Sequence, residues 1–233
     1  MKRSKRGFGI GLAIGLIGVS GCALAQSSPP AAPIPPAATA TQTGPVVPAA
    51  FARLDEHPNG TYKLDLTHAS ILWKVRHFGL STYVGRFNKF DAAIQWDNAN
   101  VANNSVKVTI DPASLDTDYP NAKEKDFNKE LAERDNFFNV KNFKDITFVS
   151  TKVERDSDNH GLVTGDLTLL GVTKPVVLDV TFNGGRRQPF GVKHVMGFSA
   201  TTKINRSEWG MKALIPAVSD EVRIEIEGEF VKE

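Results

Sequence analysis

Imidazoles, thiols, paired carboxylates and guanidiniums carry most protein chemistry, and this chain is sparing with them. It has five histidines and one cysteine in 233 residues. His57 precedes the patterned part of the chain, and His160 sits in the polar turn Asp156-Ser157-Asp158-Asn159-His160-Gly161, so both read as solvated. His68, His77 and His194 remain, and none belongs to a spaced metal motif such as His-Glu-x-x-His. The Asp156-x-Asp158-x-His160 spacing opens like a calcium loop but lacks the glutamate that closes one. No serine occupies a Gly-x-Ser-x-Gly elbow. Glu221, Glu225, Glu227 and Glu229 fall on one face of an alternating segment, where they read as a solvated face blunting a sheet edge. The expectation is no catalytic residue, no metal and no cofactor. Two side chains retain a binding role. His77 is in phase with an apolar face and would donate to a polar head group, or else is a core histidine held by a carbonyl. Arg206 suits an oxyanion such as phosphate, or else makes an ordinary rim ion pair.

Apolar residues, by contrast, recur with period two, the signature of strands half-buried on one face. Ile71, Trp73, Val75 and His77 alternate with Leu72, Lys74 and Arg76. Phe90, Ala92, Ile94 and Trp96 form a second stripe, and Val106, Val108 and Ile110 a third. Ile146 with Phe148, Met196 with Phe198 and Ala200, and Val222 with Ile224 and Ile226 continue it. Leu167 and Leu169 face Val176, Leu178, Val180 and Phe182 across a turn that Gly171 permits and Pro175 keeps from becoming helical. With a short strand at Tyr62 to Leu64 this makes about nine strands, hence an all-β barrel or sandwich. Phe87 is out of phase with Phe90, which calls for a bulge near Asn88. Asn121 to Glu133 is the exception: Phe127 and Leu131 lie one helical turn apart, and Pro120 suits a first turn, so one amphipathic helix is expected. A barrel of about eight strands is either filled by side chains or holds one small ligand, and the alternation leaves both open.

Ahead of this domain, Lys2, Arg3, Lys5 and Arg6 precede an apolar run from Phe8 to Val19, the layout of a secretory signal over residues 1–25. Ala23-Leu24-Ala25 offers cleavage before Gln26, giving a soluble product. Val19-Ser20-Gly21-Cys22 competes as a lipobox, with Cys22 lipidated and tethering the protein to a membrane. Removing the leader takes four basic residues and turns the formal charge from +2 to −2, so no nucleic-acid partner is expected. Residues 26–50 are Pro/Ala-rich and read as a disordered linker, leaving 51–233 as the folded domain.

A family resemblance runs through this domain. Thr67-His68-Ala69, then Trp73-Lys74-Val75-Arg76-His77-Phe78-Gly79, Gly85-Arg86-Phe87, Ser114-Leu115-Asp116-Thr117 and Asp135 to Val140 occur in order. Gly165 to Pro175, Arg206 to Met211 and Ser219-Asp220-Glu221-Val222 complete the set. On these residues the chain resembles the YceI-like family, described as lipid- and polyisoprenoid-binding. The resemblance implies a lipocalin-like antiparallel barrel, periplasmic or anchored as an outer-membrane lipoprotein, whose apolar tunnel takes up a long-chain isoprenoid or fatty lipid. A homodimer stays open. The tunnel would be lined by Trp73, Val75, Phe90, Ile94, Trp96, Val108, Phe138, Phe148, Leu167, Leu169, Val180, Phe198 and Trp209, with His77 and Arg206 at a head group. The chain departs from the family by lacking a histidine after Lys125-Asp126, and by carrying Trp73 where phenylalanine is usual. An enzyme acting on such a lipid and a ligand-free structural lipoprotein are the competing readings.

Overall fold

The period-two stripes fold into a single antiparallel sheet that closes on itself. The computed structural model describes residues 56–187 and 193–233. In chain order the strands are β1 (Gly60–His77), β2 (Ser81–Phe87), β3 (Phe90–Trp96), β4 (Ser105–Ile110), β5 (Leu115–Asp116), β6 (Ile146–Arg155), β7 (His160–Leu169), β8 (Val172–Arg187), β9 (His194–Asn205) and β10 (Glu221–Lys232). One helix, α1 (Phe127–Glu133), interrupts them. The expected signal, lipobox and linker at residues 1–50, including Cys22, lie outside the described residues.

Ten segments make eight staves. β3 pairs with the first part of β1 and β2 with the last, so β2 and β3 are two lengths of one broken strand. β4 and β5 face β3 and β2 in the same way. The turn at Asn88 and Lys89 replaces the expected bulge: the strand breaks there and resumes, which lets Phe87 and Phe90 both face inward. The remaining staves follow in order to β10, which pairs with β1 from Tyr62 opposite Lys232 to Lys74 opposite Arg223. The barrel is therefore closed, and β10 has no free edge to protect. Its glutamates pair sideways instead, Glu225 with Lys74 at 2.6 Å and Glu221 with Lys203 at 3.2 Å.

β1 crosses the barrel in one long stave by looping out Leu66, Thr67 and His68, since Asp65 pairs with Glu229 and Ala69 with Gly228. Asp65 holds the loop by accepting from the Thr67 N–H and hydroxyl at 3.0 and 2.6 Å and by meeting His68 Nδ1 at 2.9 Å. Those bonds hold its carboxyl below the usual range. In the β7–β8 hairpin the turn is only Leu170 and Gly171, both left-handed, with Gly171 at φ 73°. Pro175 lies within β8, not in the turn, opposite Asp166. It is tolerated there because the β9 ladder begins further on, at Asp179 opposite Thr201, so no bond requires its missing N–H.

The helix is shorter than its composition suggests. Asp126 caps it by accepting from the Lys129 N–H at 2.9 Å, so residues 120–124 form turns and Pro120 lies outside the first helical turn. Asn128 fixes α1 to the end of β5, accepting from the Thr117 N–H and hydroxyl and donating to Asp116 at 3.0 Å. Asp116 also accepts from the Asp118 N–H, and these bonds hold its carboxyl low. One end of the barrel thus carries α1, the β1–β2 turn and the β9–β10 connection. At the other end lie Gly60, Lys232 and the β6–β7 turn.

Candidate functional site

The lumen is a cavity of about 640 Å³ whose wall is almost wholly apolar. That is within the ordinary range for a small-ligand site, roughly 300–1,000 Å³. Its lining runs from His77 and Leu214 at the helix end to Arg155, Asn159 and His160 at the end where the terminal strands meet. A barrel built from so many large residues would fill itself if every ring pointed at the axis. Two of the largest do not: a methyl group at Gly85 would overlap the indole of Trp73, and one at Gly165 would overlap the ring of Phe148. Each ring occupies the space a side chain would take at a glycine on the neighbouring stave. Ala92 and Ala200, also in phase with the lumen, leave further room.

Twelve of the thirteen residues expected on a tunnel wall line this cavity: Trp73, Val75, Phe90, Ile94, Trp96, Val108, Phe138, Phe148, Leu167, Leu169, Val180 and Phe198. Trp209 does not. It is buried in the core beside the β7–β8 hairpin, where its indole N–H donates to the Leu167 carbonyl at 3.2 Å. The alternation omitted wall residues supplied by α1 and by irregular segments, among them Phe127 from the helix and Tyr119, Phe137, Met211 and Leu214. Tyr83 was legible only as a neighbour of Gly85 two residues on, with the same parity. Trp73 Nε1, Tyr83 Oη and Trp96 Nε1 are buried without a hydrogen-bond partner. The Trp73 and Tyr83 rings lie 6.5 Å apart.

The two expected head-group residues part company. His77 is exposed at the helix end of the cavity, edge-on to the Phe78 ring at 4.7 Å. Arg206 is only 4% exposed, and its guanidinium donates to the carbonyls of Ser219, Met211 and Val218 at 2.9, 3.1 and 3.1 Å. Burial pushes its pKa down, with Asp220 opposing. Neither an oxyanion nor a rim ion pair accounts for this arrangement; Arg206 clamps the β9–β10 connection. Asp220 completes the clamp by accepting from the Ser207 hydroxyl and N–H at 2.6 and 2.8 Å, which lower its own pKa.

Of the two histidines read as solvated, His57 is not, whereas His160 is partly exposed and held by carboxylates. His57 is completely buried, its ring over Gly185 and edge-on to Phe182 and His194 at 6.0 and 5.8 Å. His160 bridges two carboxylates, Nδ1 to Asp156 at 2.7 Å and Nε2 to Asp179 at 3.1 Å, and these bonds raise its pKa. His194 is shifted the other way, first by burial and then by Arg187 and Lys232. Among the described residues no three His, Cys, Asp or Glu side chains gather as a metal site would need.

A family model described as the YceI-like domain matches residues 62–230, from the pairing of β1 with β10 at one terminus to the same pairing at the other. The chain belongs to the YceI-like family. A UPF0312 protein of Pseudomonas putida is 40% identical over 174 residues, covering 74% of this chain and 86% of that one. Another, from Photorhabdus laumondii, is 39% identical over the same coverage. Among solved YceI-like structures, the Campylobacter jejuni YCEI protein aligns with a TM-score of 0.59 at 31% identity, over 67% of this chain and 89% of that one. Burkholderia cenocepacia BcnA aligns at 0.58 and 28% identity, over 71% and 98%. A polyisoprenoid binding domain from Saccharophagus degradans shares the fold at 0.52 and 14% identity.

Within this family frame, the motifs that carry the resemblance are mostly joints. Thr67 and His68 lie in the β1 loop-out and Ala69 resumes the ladder, Gly85 is the seat of Trp73, Leu115 to Thr117 the anchor of α1, and Arg206 to Met211 the clamp.

Proposed function

We propose that this protein binds a long-chain isoprenoid or fatty lipid inside the barrel and carries or sequesters it without transforming it. The observation that carries this reading is the 640 Å³ apolar lumen, kept open because Trp73 and Phe148 lie against glycines. Burial of one CH₂ contributes about 0.8 kcal/mol, so sixteen of them supply roughly 13 kcal/mol. Association costs on the order of 4–15 kcal/mol, so affinity should climb steeply with chain length and depend little on head-group contacts. A cargo with one oxygen along its chain would meet donors at Trp73 and Tyr83, whose buried polar atoms are otherwise unmatched. The Saccharophagus degradans domain, described as polyisoprenoid binding, supports a lipid cargo by shared fold. We place the protein outside the cytoplasm, exported by its N-terminal signal, with Cys22 as the tether if the lipobox is processed.

The test is extraction of the natively expressed protein with organic solvent and identification of what is released by mass spectrometry. A stoichiometric isoprenoid or acyl species is expected. A clean extract, together with no uptake of a fluorescent polyene fatty acid by the purified protein, would overturn the carrier reading.

A further inference from the structure

The two ends of the lumen are chemically opposite. Where the terminal strands meet, the lining ends on Glu154, Arg155, Asn159 and His160. At the helix end it comes out beside two apolar tips. The β1–β2 turn projects Phe78, 63% exposed, and Leu80, 86% exposed, and the β9–β10 connection projects Leu214, 62% exposed. The two tips are joined, since the Phe78 N–H donates to the Ala217 carbonyl at 2.6 Å and His77 bridges to Val218.

These residues are held out against local preference. Phe78 has φ 49° and Leu214 φ 61°, a left-handed conformation that suits glycine or asparagine and is costly for bulky side chains. Strain of this kind, on large apolar groups aimed at water, is retained where a function uses it. The only charged residues in the two tips, 76–82 and 211–219, are Arg76 and Lys212, both basic and both exposed. Apolar tips flanked by one cation each match a bilayer surface with anionic head groups, and a cargo insoluble in water has to come from such a surface.

We infer that the helix end of the barrel docks on an anionic phospholipid bilayer, with Phe78, Leu80 and Leu214 entering the head-group boundary so that lipid passes into the lumen without crossing water. The role in loading rests on the carrier reading, whereas docking itself does not. The experiment keeps the two apart. With Cys22→Ser the chain has no cysteine, so Leu80→Cys, Leu214→Cys and, at the far end, Ser157→Cys each accept one polarity-sensitive fluorophore. Vesicles of phosphatidylethanolamine and phosphatidylglycerol should blue-shift the label at 80 and 214 and shield it from iodide, while leaving the label at 157 unchanged. High salt, or vesicles of phosphatidylcholine alone, should weaken the response. No response at 80 and 214, or an equal response at all three positions, overturns the lipid surface as occupant and leaves a protein partner for these tips.

A second variant, Phe78→Asp with Leu80→Asp, neither of which lines the lumen, tests loading. It should bind the polyene fatty acid from solution as the parent does but take it up from vesicles at least tenfold more slowly. An unchanged rate from vesicles overturns the loading role. Failure of both proteins to bind from solution instead overturns the carrier reading, and the labels still decide docking.

Discussion

Ala200 offers a way to close the lumen without disturbing its walls. It lies on β9 between Val180 and Ile226, and all three side chains line the cavity. In Ala200→Phe the added ring would project into the lumen and take the room of about four methylene groups of a bound chain. At about 0.8 kcal/mol each, the cargo loses roughly 3 kcal/mol, on the order of a hundredfold in Kd. The ring enters empty space instead of packed core, so thermal stability should hold or rise. Val177→Phe, on the exposed outer wall of β8, is the control and should change neither quantity. Titration with a fluorescent polyene fatty acid reads the affinity, and circular dichroism melting reads the stability. A folded Ala200→Phe protein with the parent's Kd would refute the argument, because the chain would then bind elsewhere.

Arg206→Met should destabilise the protein by about 3–5 kcal/mol, because one buried and two part-buried carbonyls lose their donor at once. Denaturant titration measures this, and hydrogen exchange should quicken across residues 211–219; a loss below about 1 kcal/mol would contradict the clamp. His160 should make stability depend on pH. Its pKa is raised by Asp156 and then Asp179, so its contribution is complete below about pH 6.5 and is lost as pH rises through the raised value. The stability difference between the parent and His160→Ala should therefore shrink as pH rises, and a difference constant from about pH 5 to about pH 8 would sink this assignment. His194, whose lowered pKa tilts stability the other way, is present in both proteins and cancels in the comparison.

Where a residue's environment is set by its own strand, the sequence was readable. Trp73, Ile94, Leu167 and Phe198 announce the lumen by parity alone, because side chains on a strand alternate faces. Parity says nothing about the far side of a ring. Whether Trp73 fills the barrel or lines it depends on Gly85, which reaches it only through the pairing of β1 with β2. The same blindness to distant partners explains His57 and Arg206. One is buried by Gly185 and Phe182, more than a hundred residues away in the chain, and the other is claimed by carbonyls of the β9–β10 connection. Composition also overstated the helix, since Lys and Glu at 123–125 favour helix while Asp126 caps a start after them.

The seam between β1 and β10 also orders events in time. Thr61 accepts from the N–H of Glu233, the last residue of the chain, at 3.0 Å. The first stave to emerge during synthesis must wait for the last one before its outer edge is satisfied. Until then β1 is an unpaired template and the apolar lumen lies open along its length, the state in which β-proteins aggregate or recruit a chaperone. The same meeting of first and last staves makes the molecule an apt target for circular permutation, with the seam as its natural splice.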